Sequence, residues 1–251
     1  MRALAVCSVL FLAAFGPSGA AAWAPETRMA IVDEAVRLMP TSLRLALDMH
    51  RIDLMTGALE PLTQEDGPEH RAPWNGGQLD RTLASEAERL VAELGGVRTP
   101  FPRLAERFGR VAHFAMDAGF PPGVGDAGGD ERYAHFSRFC ESRRPKFPLV
   151  FYGHDDSALD ARDWRAFALG VMNRSRADDR MLARAYAAAG RPPAPAAFDD
   201  RSIPFAVGSL SYSRSVNDVV RVWLAAWGEA GGDLGRTPFR KPAPRGGKEP
   251  Q

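Results

Sequence analysis

Residues 101–118 read FPRLAERFGRVAHFAMDA. Leu104, Phe108, Val111 and Ala115 recur at intervals of three and four, which predicts an amphipathic helix over the whole stretch. His113 and Asp117 are four apart and so share a face one turn from each other, beside Glu106 and Gly109 and opposite Leu104 and Phe108. That face meets either water or a polar cavity. Taken alone, the pair reads as two solvated side chains, because polar residues at this spacing are ordinary on helices.

The same periodicity extends in both directions. Helices are expected from Trp23 to Pro40, from Ser42 to about Met55, from Leu79 to Leu94, and over 131–143, 160–174 and 178–189. A last helix, about Leu210 to Ala230, aligns Tyr212, Val216, Val219, Trp223 and Trp227 in an apolar stripe that reads as core. Only the short run FPLVFYG at 147–153 has extended character, too little to define a sheet. With no internal repeat, the chain reads as a single all-α domain over 23–235.

The N-terminus bounds the compartment. Met1 and Arg2 precede an apolar run from Ala3 to Phe15, a Gly-Pro-Ser-Gly break, and small residues at Ala20 and Ala22. This is the layout of a secretory signal peptide, residues 1–22, cleaved after Ala22 to leave Trp23 first. The run is shorter than the roughly 20 residues a membrane span needs. Export to the periplasm or the extracellular space is expected. Cys7 leaves with the leader, so Cys140 has no cysteine partner and no intramolecular disulfide forms. The stretch 236–251, rich in proline, glycine and basic residues, reads as a disordered tail. It leaves the body slightly acidic, which does not suit a nucleic-acid-binding surface.

The remaining histidines are scattered. His70 lies in GPEHRAPW and His135 in RYAHFSRFCES, while His50 and His154 read as surface residues. Trp74 reads equally as a packed loop residue or a lipid anchor, and the glycine-rich GDAGGDE at 125–131 lacks calcium-loop spacing and reads as a connection.

Several segments together resemble a known family. Trp23 at the expected mature terminus, GALEP at 57–61, His70, GRVAHFAMDAGFPPGV at 109–124, FPLVFYG, and VWLAAWGEAGGDL at 222–234 are similar in order and spacing to the secreted bacterial zinc-dependent phospholipase C family. That family shares its all-helical fold with the single-strand-specific zinc nucleases. The resemblance implies a zinc cluster that hydrolyses phosphodiesters, phospholipid headgroups among them. It also implies that the terminal tryptophan binds zinc through its free amine and carbonyl, which would explain why Trp23 directly follows three alanines. Zinc-bound water, its pKa lowered toward neutrality, would attack phosphorus. Carried over position by position, the retained metal ligands are Trp23, His70, His113, Asp117 and His135, with Asp117 the residue on which catalysis would rest.

The departures are equally specific. Arg28 stands where the family has a histidine five residues after the tryptophan, and Leu62 where it has an aspartate, with Glu60, Glu65 and Asp66 nearby. Gly123 replaces a histidine six residues after Asp117, and Phe139 replaces a carboxylate one turn after His135, with Glu141 off that face. One set, His70, His113 and Asp117, keeps enough donors for zinc, so fewer than three ions are expected. Arg28 is expected to supply fixed positive charge, toward substrate and beside Asp117, where a dication would otherwise sit. Three readings follow: a phosphodiester hydrolase with a reduced zinc site, a catalytically inactive descendant that binds a ligand or a metal, and an unrelated exported helical protein.

Overall fold

Helix α5, Phe101–Ala118, is enclosed by the rest of the molecule: α1 (Pro25–Arg37), α3 (Arg51–Leu59), α4 (Leu79–Leu94), α9 (Trp164–Ala189) and α10 (Ile203–Glu229) all pack on it. The computed structural model describes residues 22–60, 67–96, 98–126, 131–190 and 197–240. Among these there are ten α-helices and no strand, the all-α fold expected. The others are α2 (Thr41–Met49), α6 (Pro121–Val124), α7 (Glu131–Arg143) and α8 (Ser157–Asp160). No helix among the described residues is long and apolar enough to cross a membrane.

The enclosure of α5 decides between water and a polar cavity for its His113–Asp117 face: every residue from Val111 to Ala118 is buried, so the pair that alone reads as solvated lies in the interior. A single apolar stripe serves a helix lying on a core; α5 runs through one, so its polar face must be satisfied from within.

The contact with α3 is the closest. A Cβ added at Gly57 would lie 1.9 Å from the Glu106 carbonyl oxygen, and one at Gly109 would lie 2.1 Å from that of Leu54. Only hydrogen fits at these positions, so the two backbones touch and the axial register of α3 on α5 is fixed. On the other side Trp223 of α10 sets its ring edge-on to Phe108 at 5.6 Å and donates its indole N–H to the Phe108 carbonyl at 2.9 Å.

Helix boundaries follow expectation where glycine and proline punctuate the chain, as for α4, α5 and α7. They depart elsewhere. The segment expected as one helix over 42–55 turns at His50, whose φ of −113° and ψ of 34° end α2 and begin α3. The pair expected at 160–174 and 178–189 is a single helix, because the polar stretch between them is carried by ion pairs: Asp178 with Arg214 at 2.6 Å and Asp179 with Arg132 at 3.3 Å. Helix α10 starts at Ile203, where the Ser202 hydroxyl accepts from the Phe205 amide.

Residues 147–153 are irregular and lie along α10, whose side chains replace a neighbouring strand. Asn217 accepts from the Tyr152 amide at 2.6 Å and donates to the Val150 carbonyl at 2.9 Å, and Ser213 donates to Pro148. The segment expected as a leader, residues 1–22, lies outside the described residues apart from Ala22. Of the stretch expected as a tail, residues 236–240 are described: Thr237 is buried, the Pro238 carbonyl is 2.9 Å from His154 Nε2, and Phe239 meets Phe151. Its remainder, 241–251, lies outside the described residues.

Candidate metal centre

The close approach of α3 decides the state of His113. It brings the Ala58 carbonyl to 2.9 Å from His113 Nδ1, and since a carbonyl only accepts, Nδ1 carries the hydrogen and Nε2 the lone pair. Arg28 Nη1, 3.2 Å from the same Nδ1, is then a second donor in contact with it; its hydrogen-bond acceptor is the His113 carbonyl at 3.4 Å.

His70 reaches the same point from a 3₁₀ turn, Pro68–His70. Hydrogen bonds from Gln78 to Pro68 and from Leu79 to Arg71 tie that turn to the start of α4. The following turn is clamped by Trp74, which donates to the Val124 carbonyl at 2.8 Å beneath the Arg176 guanidinium, and by Asn75, which donates to the Gly125 carbonyl. The His70 ring lies against Phe114, 5.2 Å between centroids.

Three donor atoms therefore converge. His70 Nδ1 is 2.7 Å from Asp117 Oδ2, His113 Nε2 is 3.2 Å from the same oxygen, and the two nitrogens are 3.4 Å apart. Zinc–nitrogen bonds of about 2.0–2.1 Å in a tetrahedron imply edges of about 3.3 Å. Two of the edges match. The third has the length of a hydrogen bond, so without an ion His70 holds its hydrogen on Nδ1 and donates to Asp117. A metal held by Nδ1 would require that hydrogen on Nε2, on whose side the Glu69 carboxylate lies at 4.0 Å. Two imidazoles and a carboxylate are a zinc-type donor set, and the residues fit a single divalent ion.

The other oxygen of Asp117 belongs to Arg28. This guanidinium is fully buried; Nη2 donates to Asp117 Oδ1 at 2.5 Å and Nε to the Trp23 carbonyl at 3.1 Å. Burial alone would raise the Asp117 carboxyl, but the neighbouring His113 and Arg28 and the hydrogen bond from His70 override it and hold it well below 3.8. Burial, helped by Arg28 and opposed by Asp117, lowers His113 from 6.5. An ionised carboxylate and a neutral imidazole are the forms a metal requires.

This geometry bears on three of the expected site residues, Arg28, Trp23 and His135. Arg28 does not face substrate, since no atom of it reaches the surface. The Trp23 carbonyl is spoken for by that guanidinium. The Trp23 ring is itself core, set edge-on to Phe120 at 5.1 Å, which in turn contacts Tyr133 and Phe136. His135 stands apart from the triad: its Nδ1 is 2.8 Å from the Tyr186 hydroxyl and its ring meets Tyr186 and Phe198.

Where the resemblance would put the partners of His135 the surroundings are aromatic. Tyr133 covers Gly123, its hydroxyl 3.3 Å from where a Cβ would stand, and Phe139 is buried against Phe198. Glu141 accepts from the Thr27 hydroxyl. Leu62, Glu65 and Asp66 lie outside the described residues. Two contributors had no signal in the sequence: the Ala58 carbonyl, because any residue offers one, and Thr27, whose acceptor is 114 positions away.

No family model matches the chain, and no curated protein does. Among solved structures it is similar to the alpha-toxin of Clostridium perfringens, from an avian strain, with a TM-score of 0.56 and 12% identity. The match covers 82% of this chain, which spans 64% of the toxin chain. At that identity the likeness is one of fold.

Proposed function

We propose that this chain is an exported helical protein that keeps the phospholipase C scaffold, holds one zinc ion on His70, His113 and Asp117, and does not hydrolyse phosphodiesters. The observation that carries this is the buried guanidinium of Arg28 on the Trp23 carbonyl and Asp117, a fixed cation among the groups that the resemblance assigns to a second ion.

His113 is oriented by Ala58, His70 by its stacking on Phe114, and Asp117 by a guanidinium on one oxygen and imidazoles on the other. Such bracing holds ligands in place before an ion arrives. Bound zinc would supply Lewis acidity and an acidified water. A reacting diester needs access as well, and the side chains of His70, His113 and Asp117 are 6, 0 and 5% exposed. Cleavage in the family also rests on clustered ions, each contributing several kcal/mol of charge stabilisation. Here the place of one is taken by Arg28, and aromatic rings occupy that of another.

A reduced phosphodiesterase is the second reading. It is favoured by the count of protein ligands, since three with an open fourth position is the catalytic form of a zinc site. Metal analysis of the purified protein with a chromogenic phosphodiester assay separates the two. We expect one zinc per chain, lost in Asp117→Asn, and no turnover with or without added zinc. Turnover abolished by chelator and restored by zinc would establish the second reading, and absence of any metal would remove the zinc site.

A further inference from the structure

We infer that the outward face of α2 and α3 is a self-association surface, on which two copies of this chain pair about a two-fold axis with their α3 helices antiparallel. Leu45 and Met49 on α2 and Ile52 on α3 are 57, 76 and 83% exposed, and Met55 and Leu59, half-buried, continue the line. From Met49 onward the apolar positions recur every three or four residues along one side of α3, flanking a groove of about 520 Å³ lined by Arg51, Ile52, Met55, Thr56, Leu59 and Glu60.

The fold leaves Leu45, Met49 and Ile52 outside its core, and Met55 packs against it only in part. The opposite side of α3 is committed: Leu54, Gly57 and Ala58 are buried, and Gly57 touches the backbone of α5. Residues that face water and carry no packing duty are normally polar, and a contiguous apolar stripe with a polar border marks an interaction site.

A second copy fits this stripe by the order of its charges. Arg51 closes the N-terminal end of the groove and Glu60 the C-terminal end. A two-fold axis across the middle of α3 sets each Arg51 against the partner's Glu60 while Ile52, Met55 and Leu59 interdigitate. Arg51 is already oriented by its paired contacts with Asp33, so its guanidinium is presented in one place. An anionic lipid surface is a poorer occupant, because Asp48, Asp53 and Glu60 offset Arg44 and Arg51 along the same border. The nine residues of α3 span about 13 Å. With Leu45 and Met49 the stripe lies at the small end of specific interfaces, so the dimer exchanges with monomer in the micromolar range.

Sedimentation equilibrium of the processed protein from about 1 to 100 µM tests this. A monomer–dimer equilibrium is expected, abolished in Ile52→Asp and weakened about tenfold in Glu60→Lys, with far-UV circular dichroism unchanged in both because both side chains are exposed. A monomer across the whole range would overturn the inference, and so would a dimer that neither substitution disturbs. Neither outcome depends on metal content, so the zinc site stands or falls separately.

Discussion

Asp117 and Asp218 are both buried carboxylates paired with arginine, yet their acidities move in opposite directions. Asp117 is held well below 3.8, whereas burial raises Asp218 despite the pull of Arg174 and Arg221. The difference lies in the cations. Arg28 is 0% exposed, shares no field with water, and is joined by two imidazoles; Arg174 is 38% exposed, so solvent screens it, and Arg221 stands 3.8 Å away. A carboxylate whose neighbours overcome burial is built to remain an anion, and a metal ligand must be one. Asp218 is a structural tie between α9 and α10.

The largest effect that breaks this contrast is removal of the buried guanidinium. Arg28→Ala leaves an anion without its partner in the core and is expected to destabilise the fold by about 3–5 kcal/mol, read from the midpoint of denaturant unfolding. Arg174→Ala, beside a carboxyl that can take up a proton and a guanidinium that was partly solvated, should shift the same midpoint by about 1 kcal/mol. Equal losses would mean that the two carboxylates do the same work. Arg28→His should restore much of what alanine loses only when zinc is added, because a neutral imidazole contributes no charge of its own.

A pH series sharpens the contrast. His113 is lowered from 6.5, so the unfolded chain takes up protons first, and stability falls as pH drops below 6.5 toward the folded value. Asp218 is raised from 3.8, so its ionisation opposes folding above that window and acidification relieves it. The stability that Asp117 gives is present above 3.8 and is lost only under stronger acid. Thermal midpoints between pH 7 and 5 should therefore decline in the native chain and decline less in His113→Gln. A flat profile would contradict a neutral buried imidazole. The smallest effect belongs to His135: His135→Ala loses one hydrogen bond, to Tyr186, worth about 1 kcal/mol, and leaves zinc content unchanged.

What the sequence makes legible is what it spells locally. Helices α4, α5 and α7 have their expected bounds because glycine and proline flank them or close periodicity defines them. The turn at His50 has no such mark; it is set by tertiary contact, with the ring on Phe101 at 5.4 Å. The continuity of α9 through its polar middle was hidden because Asp178 and Asp179 find their cations on α10 and α7. At the site, the four-residue spacing of His113 and Asp117 was plain, but periodicity left their face to either water or a polar cavity. The Gly57–Gly109 contact, between two positions that differ in nothing visible from other glycines, helps to enclose them and supplies Ala58. Arg28 was marked by the resemblance as a replacement for a ligand; its complete burial, which removes any role toward substrate, was not.

The proposed function puts one ion and one guanidinium where the family resemblance implies several ions. Native mass spectrometry of the purified chain counts them directly. One zinc per chain is expected, none in Asp117→Asn, and a second zinc in Arg28→His. Two or more zinc ions in the unmodified protein, or none under saturating zinc, would contradict it.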